Sequence, residues 1–191
     1  MDTDMLKIKR AARGDEGAFE ALIEPYLDST YRLCLRMMGS EQDAADMAQE
    51  ALVRVWRSLS TYKGQSRFST WLYRVTSNVC LDELRRRKNV QTQSLQEMQL
   101  SGFDPVDAGD TPEKAAERRQ TRRELTEAIA RLSEEHRAAL VLRDVHGLPY
   151  EQIAGILDVN LNTVKSRISR ARAALRTILS GEKELSGKKR V

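Results

Sequence analysis

The spacing of apolar positions is helical along almost the whole chain. Val164, Ile168, Ala171 and Leu175 share one stripe at about 100° per residue. Phe68, Trp71, Leu72, Val75 and Val79 form a second stripe, and Ala45, Ala48, Leu52, Val55, Trp56 and Leu59 a third. Sustained period-two alternation and the Asn-Gly or Asp-Gly pairs of tight hairpins are absent, so strands are not expected. Gly, Ser, Asp and Pro punctuation places helices near 3–13, 16–38 with a break at Pro25, 41–59 and 68–88, then near 112–131, 134–146, 149–157 and 162–179. The expected fold class is all-α, two small helical bundles joined by a flexible acidic linker.

Periodicity lapses from Gln91 to Thr111, in "QTQSLQEMQLSGFDPVDAGDTP", which is polar, rich in turn formers and punctuated by Pro105 and Pro112. Its acids, Glu97, Asp104, Asp107 and Asp110, have no base among them, which fits an anionic tether and equally a merely solvated loop. Thr111-Pro112 reads as a helix cap with proline at the first helical position. The expected division is 1–90, a linker at 91–111, a second bundle at 112–180 and a basic tail at 181–191.

Composition narrows the function. With 191 residues and 40% hydrophobic content, the chain can fill two compact cores. No apolar run approaches a membrane span, and the acid-bearing start "MDTDMLKIKR" has no signal-peptide core, so a cytoplasmic protein is expected. Cys34 and Cys80 stand isolated among apolar neighbours and read as buried structural thiols. His136 and His146 have no partners at ligand spacing, so no metal site and no cofactor are expected. Clustered carboxylates, or a nucleophile with its base, are likewise missing, and the chain is not expected to be an enzyme.

The net charge of +4 gains meaning from its distribution. "TVKSRISRARAALR", residues 163–176, carries five cations and no acid. Opposite the buried stripe lie the small residues Ser166, Ser169 and Ala173, flanked by Lys165, Arg172 and Arg176 on one edge and Arg167 and Arg170 on the other. A helix with a slim leading face and cationic shoulders suits a major groove, with bases ahead and phosphates on either side. Upstream, "YEQIAGIL" and the turn "DVNLN" complete a helix-turn-helix layout, with Asn162 a fair cap for the basic helix.

In the first bundle, the side of helix 41–59 away from its apolar stripe holds Asp46, Gln49, Glu50, Val53 and Arg57, which fits a solvated face or a docking face equally. Helix 68–88 presents Arg74, Asn78 and Arg85 in one small arc, with Ser77 and Leu81 beside them. Asp82 is expected to pair with Arg85 or Arg86.

These residues resemble bacterial RNA polymerase sigma factors of the extracytoplasmic-function group within the sigma-70 family. "DAADMAQEALVRVW" is similar to region 2.2, "RFSTWLYRVTSNVCLDELRRRK" to regions 2.3 and 2.4, and "LPYEQIAGILDVNLNTVKSRISRARAALR" to region 4.2. The resemblance spans about residues 3–90 and 112–180, with two separate motifs in the family's order. It implies that Asp46, Gln49, Glu50, Val53 and Arg57 dock the β′ clamp helices of the polymerase core, and that the β flap is a further core contact. It implies that Lys63 and Arg67 belong to a loop that captures an extruded base of the minus 10 element, while Arg74, Asn78, Arg85 and Arg86 steady the separated strand. It implies that Asn162, Thr163, Lys165, Ser166, Arg167, Ser169, Arg170 and Arg172 read the minus 35 element as duplex. A membrane-anchored anti-sigma factor is a further implied partner. The competing reading, a free-standing helix-turn-helix regulator, lacks an evident dimer helix or ligand pocket.

Overall fold

A computed structural model describes residues 2–91 and 112–188, and every regular element among them is helical. Most of the acidic linker, the Thr111 cap and the last residues of the basic tail lie outside the described residues.

The first bundle starts with α1 (Asp2–Ala11) and α2 (Glu16–Ile23). Asp15 caps α2: its Oδ1 accepts from the Ala18 backbone N–H at 2.9 Å, and its Oδ2 from Arg10 Nε at 2.8 Å. Pro25 falls in a single 3-10 turn, Glu24–Tyr26, which turns the chain into α3 (Leu27–Met38), as the expected break requires. Gly39, at φ 78°, ends α3 in the left-handed region, and Ser40 immediately caps α4 (Glu41–Ser58), its Oγ accepting from the Asp43 N–H at 3.4 Å. A 3-10 turn, Leu59–Thr61, and a loop then lead into α5 (Phe68–Gln91).

Helix α4 buries Ala44, Ala51 and Val55, whereas Ala45, expected inside, is exposed. The buried side of α4 is thus turned toward Ala44 and Ala51, both fully buried. Cys34 on α3 and Cys80 on α5 are fully buried with their sulfurs 3.8 Å apart.

One ionic network ties the start of α4 to the end of α5. Arg87 donates to both Asp43 oxygens at 2.6 and 2.7 Å, and its Nε to Glu83 Oε1 at 2.7 Å. Arg86 takes both Glu83 oxygens at 2.7 and 2.8 Å. Hydrogen bonds first from Arg86 and then from Arg87 hold the Glu83 carboxyl at about 2, well below its ordinary 4.5. A depressed carboxyl adds stability above its unfolded pKa and loses it as pH falls through the folded value. Glu83→Gln is therefore expected to destabilise the chain at pH 7 by on the order of 2 kcal/mol, a figure reduced for the water around Arg86. The deficit should shrink between pH 4.5 and about 2 and vanish below, which urea unfolding at several pH values checks.

The second bundle contains α6 (Pro112–Ala130), α7 (Glu134–Leu140), α8 (Tyr150–Leu157) and α9 (Leu161–Lys188). The helix expected over 134–146 widens at Val141–Val145 into a π turn, with the His146 N–H donating to Val141 O at 3.1 Å. Helix α9 continues to Lys188 without a break at 181, where a tail was expected to start.

The two bundles are not separate bodies. One buried cluster runs from Leu33, Met37 and Leu81 of the first to Leu140, Leu142, Ile153 and Ile168 of the second. Helices α7 and α8 both pack on α5, and α6 packs on α3.

Candidate nucleic-acid interface

The helix-turn-helix is built as its spacing suggests. Ile153 and Ile156 of α8 and Val164, Ile168 and Ala171 of α9 are buried, and Leu175 is half-buried against them. Asp158 makes the turn at φ 53°, a left-handed conformation that Asp tolerates better than most L-residues, and the Val159 N–H closes it onto Ala154 O at 3.1 Å. The cap of α9 is Asn160 rather than Asn162. Asn160 Oδ1 accepts from the Thr163 N–H at 2.8 Å and from its hydroxyl at 2.9 Å. Asn162 is thereby left exposed in the first turn, free to face a ligand.

Lys165, Ser166, Ser169 and Arg170 are exposed, and Thr163 is half-buried by its cap contact. The cations of α9 are not equivalent. Arg167 Nη2 donates to Glu135 at 2.6 Å, and Arg172 makes a forked pair with Asp144 at 2.5 and 3.0 Å. Lys165, Arg170 and Arg176 have no acidic partner among the described residues. The absence of acids within the helix therefore overstated its free charge: neighbouring helices neutralise two of the five cations.

In the first bundle, Asp46, Gln49 and Arg57 are exposed on α4, and Val53 retains 37% of its surface among them. Glu50 is half-buried and accepts from Arg54 Nε at 2.8 Å, while Arg54 also reaches Asp82 at 3.2 Å. Asp82 therefore pairs with Arg54 and, at 3.8 Å, with Arg85; Arg86 belongs to Glu83. Asp43, one turn from Asp46, is committed to Arg87, whose hydrogen bonds hold its carboxyl below the usual range.

Arg74, Asn78 and Arg85 are exposed on α5 as expected, but Ser77 and Leu81 are not beside them on a free side: they are 0% and 7% exposed. The second bundle covers that flank, and Tyr73 meets His146 edge-on at 5.0 Å. Burial, and next the nearby Arg32, lower the His146 pKa to about 4, so the imidazole packed there is neutral at pH 7.

The loop holding Lys63 and Arg67 is shaped by a residue that the sequence did not single out. Tyr62 Oη donates to Ser66 O at 2.6 Å, its ring packs against Phe68 and Trp71 with centroids 5.8 and 5.5 Å away, and Gly64 at φ 72° supplies the bend. Lys63 and Arg67 are exposed at its rim. The detectable signal was the aromatic crowding: five of the ten aromatic residues lie between Trp56 and Tyr73.

Known proteins place this architecture. Residues 22–90 match the family Sigma-70 region 2, and residues 122–175 match Sigma-70, region 4. The chain belongs to the sigma-70 family, in its extracytoplasmic-function (ECF) group. ECF RNA polymerase sigma factor SigW of Bacillus subtilis is 33% identical over 174 residues, covering 89% of this chain and 93% of that protein. ECF RNA polymerase sigma factor SigE of Mycolicibacterium smegmatis is 39% identical over 173 residues, 88% of this chain; the chain spans only 65% of that relative's length. The fold is similar to that of the sigma factor RpoE in complex with the anti-sigma factor NepR from Bartonella quintana, with TM-score 0.68 and 23% identity over 85% of this chain and 96% of that one. It is also similar to CnrH in complex with the cytosolic domain of CnrY, with TM-score 0.65 and 24% identity over 94% and 99%. This sigma factor is a transcription initiation factor. Among its described residues no helix is long and apolar enough to cross a membrane.

Proposed function

We propose that this sigma factor binds core RNA polymerase in the cytoplasm and directs it to promoters without catalysis of its own. Its functional units are residues 1–90 and 112–180, with 91–111 as the tether. The exposed face of α4 around Val53 docks the β′ clamp helices, and the second bundle engages the β flap. The Tyr62-braced loop with Lys63 and Arg67, together with Arg74, Asn78, Arg85 and Arg86 on α5, holds the minus 10 element as a separated strand. Unstacking a base costs a few kcal/mol, which binding to the exposed single strand must offset. Helix α9 reads the minus 35 element as duplex, with Asn162, Thr163, Ser166 and Ser169 facing the bases and Lys165, Arg167, Arg170 and Arg172 the phosphate rails.

The observation that carries this reading is the free charge of α9: Lys165 and Arg170, exposed and without acidic partners among the described residues, border a row of small side chains. Structures similar to this chain contain anti-sigma factors, and an inhibitor of that class, anchored at the membrane, is the regulator we expect. Run-off transcription with core polymerase and a promoter library tests the proposal. Promoter-specific transcripts that depend on both protein and core are expected. Tight duplex binding by the protein alone, with no transcript in the presence of core, would point to a free-standing regulator instead.

A further inference from the structure

The loop that holds Lys63 and Arg67 is supported from two sides. From within, the Tyr62 hydroxyl donates to Ser66 O. From outside, the support comes from α1. The position at which a side chain would start on Gly64 lies 3.9 Å from Met5 Cε and 4.0 Å from Met5 Sδ, an ordinary van der Waals distance. Among the described residues, nothing else beyond the neighbours of Gly64 in the chain comes within 4 Å of it. Helix α1 is itself anchored: Ile8 and Ala11 are buried, Lys7 Nζ donates to Ala21 O at 3.1 Å, and the helix packs on α2 and on the 3-10 turn Leu59–Thr61 from which the loop departs.

Met5, Tyr26, Tyr62 and Trp71 all pack against the buried cluster that contains Phe68, so the floor of the loop and its outer prop belong to one apolar assembly. Tyr26 meets Phe68 edge-on at 5.6 Å. A thioether suits this place because it is unbranched and fills irregular gaps beside aromatic rings. Burial, and next the Asp4 carboxylate of α1, raise the Tyr62 phenol above its ordinary 10, so it keeps the proton that it donates to Ser66 O.

Gly64, at φ 72°, supplies the bend but has no side chain with which to hold it. A loop that had to be ordered when the strand arrived would subtract that lost entropy from its affinity. Met5 removes much of this cost in advance.

We infer that Met5 is a positioning residue for capture of the minus 10 base: it props the bend at Gly64 from outside and so keeps Lys63 and Arg67 at the rim of a loop already formed. The inference rests on the function proposed above. The match to Sigma-70 region 2 begins at residue 22, so α1 lies outside it.

Met5→Ala, Met5→Leu and Ile8→Val in the full chain, each assembled with core polymerase, test the inference. The probe is a single-stranded oligonucleotide with the minus 10 sequence of a promoter selected by run-off transcription. Met5→Ala should bind it about tenfold more weakly than the wild type, since the loop must then be ordered on binding. Permanganate reactivity of the minus 10 thymines in the whole promoter should fall with it, while affinity for core and for minus 35 duplex stays at the wild-type value. Met5→Leu, which conserves volume, should restore strand binding. Ile8→Val trims α1 at a buried position away from the loop contact and should leave strand binding unchanged.

Replacing each base of the oligonucleotide in turn by an abasic site separates positioning from general weakening. The wild type should lose most affinity at one position, that of the captured base, and Met5→Ala should show a smaller loss there and unchanged losses elsewhere. Wild-type strand binding by Met5→Ala would overturn the inference. So would an equal loss in Ile8→Val, or a parallel fall in core affinity, because either would make Met5 a contributor to the stability of the bundle alone. A wild-type holoenzyme that neither opens a promoter nor binds the strand would remove the functional reading itself.

Discussion

Val53→Asp is expected to leave the fold intact and to weaken binding to core RNA polymerase by about 100-fold, or roughly 2–3 kcal/mol. Val53 is already 37% exposed on α4, so a carboxylate there is solvated in the free chain and removes nothing from the core. In a docked complex the same carboxylate would be taken from water at the centre of the face, where truncations and unpaired charges cost most. Glu50 is a less clean probe, because reversing its charge also breaks the Glu50–Arg54–Asp82 chain of contacts between α4 and α5. Leu6→Asp on α1 is the control: it puts the same charge on a residue that is 61% exposed outside the proposed docking set. Fluorescence titration of labelled protein with core reads both variants. Equal affinity of Val53→Asp and wild type would remove α4 as the docking face.

The reach of sequence reasoning varied with how local each feature is. The buried stripe of α9 was legible because Val164, Ile168 and Ala171 lie on one element whose packing partner precedes it in the chain. The break at Pro25 was legible because a proline inside a helical stretch, beyond its first turn, removes an N–H that the helix needs and clashes with the preceding turn. Charge state was not, because the acids that neutralise Arg167 and Arg172 lie 32 and 28 residues upstream and meet them only through the fold.

Ser77 and Leu81 were misplaced for a related reason. A helical wheel assumes one packing side, whereas α5 is covered on two sides, by its own bundle and by α7 and α8. Alanines carry little hydrophobic contrast, so the rotation that buries Ala44 and Ala51 and exposes Ala45 left almost no trace in the pattern. Asn160 and Asn162 are chemically interchangeable as caps, and the left-handed turn at Asp158 decides between them by fixing where α9 starts.

The same distinction between free and neutralised cations sets the second large effect. Arg170→Ala should weaken binding of the holoenzyme to minus 35 duplex by about tenfold at 0.1 M salt and lower the salt slope by about one unit, the signature of one lost phosphate contact. Arg172→Ala should do markedly less. Arg172 already forms a forked pair with Asp144, so it has displaced little counterion charge of its own, and removing it frees an acid beside the DNA instead of simply deleting a cation. Arg167→Ala should resemble Arg172→Ala, through Glu135. If the Arg170 contact is to a phosphate, the loss is uniform across duplex sequences; a loss confined to sequences with guanine at one position would make it a base reader. Salt-dependent binding of the three variants separates these outcomes, and equal slopes for all three would show that the intramolecular pairs do not survive on DNA.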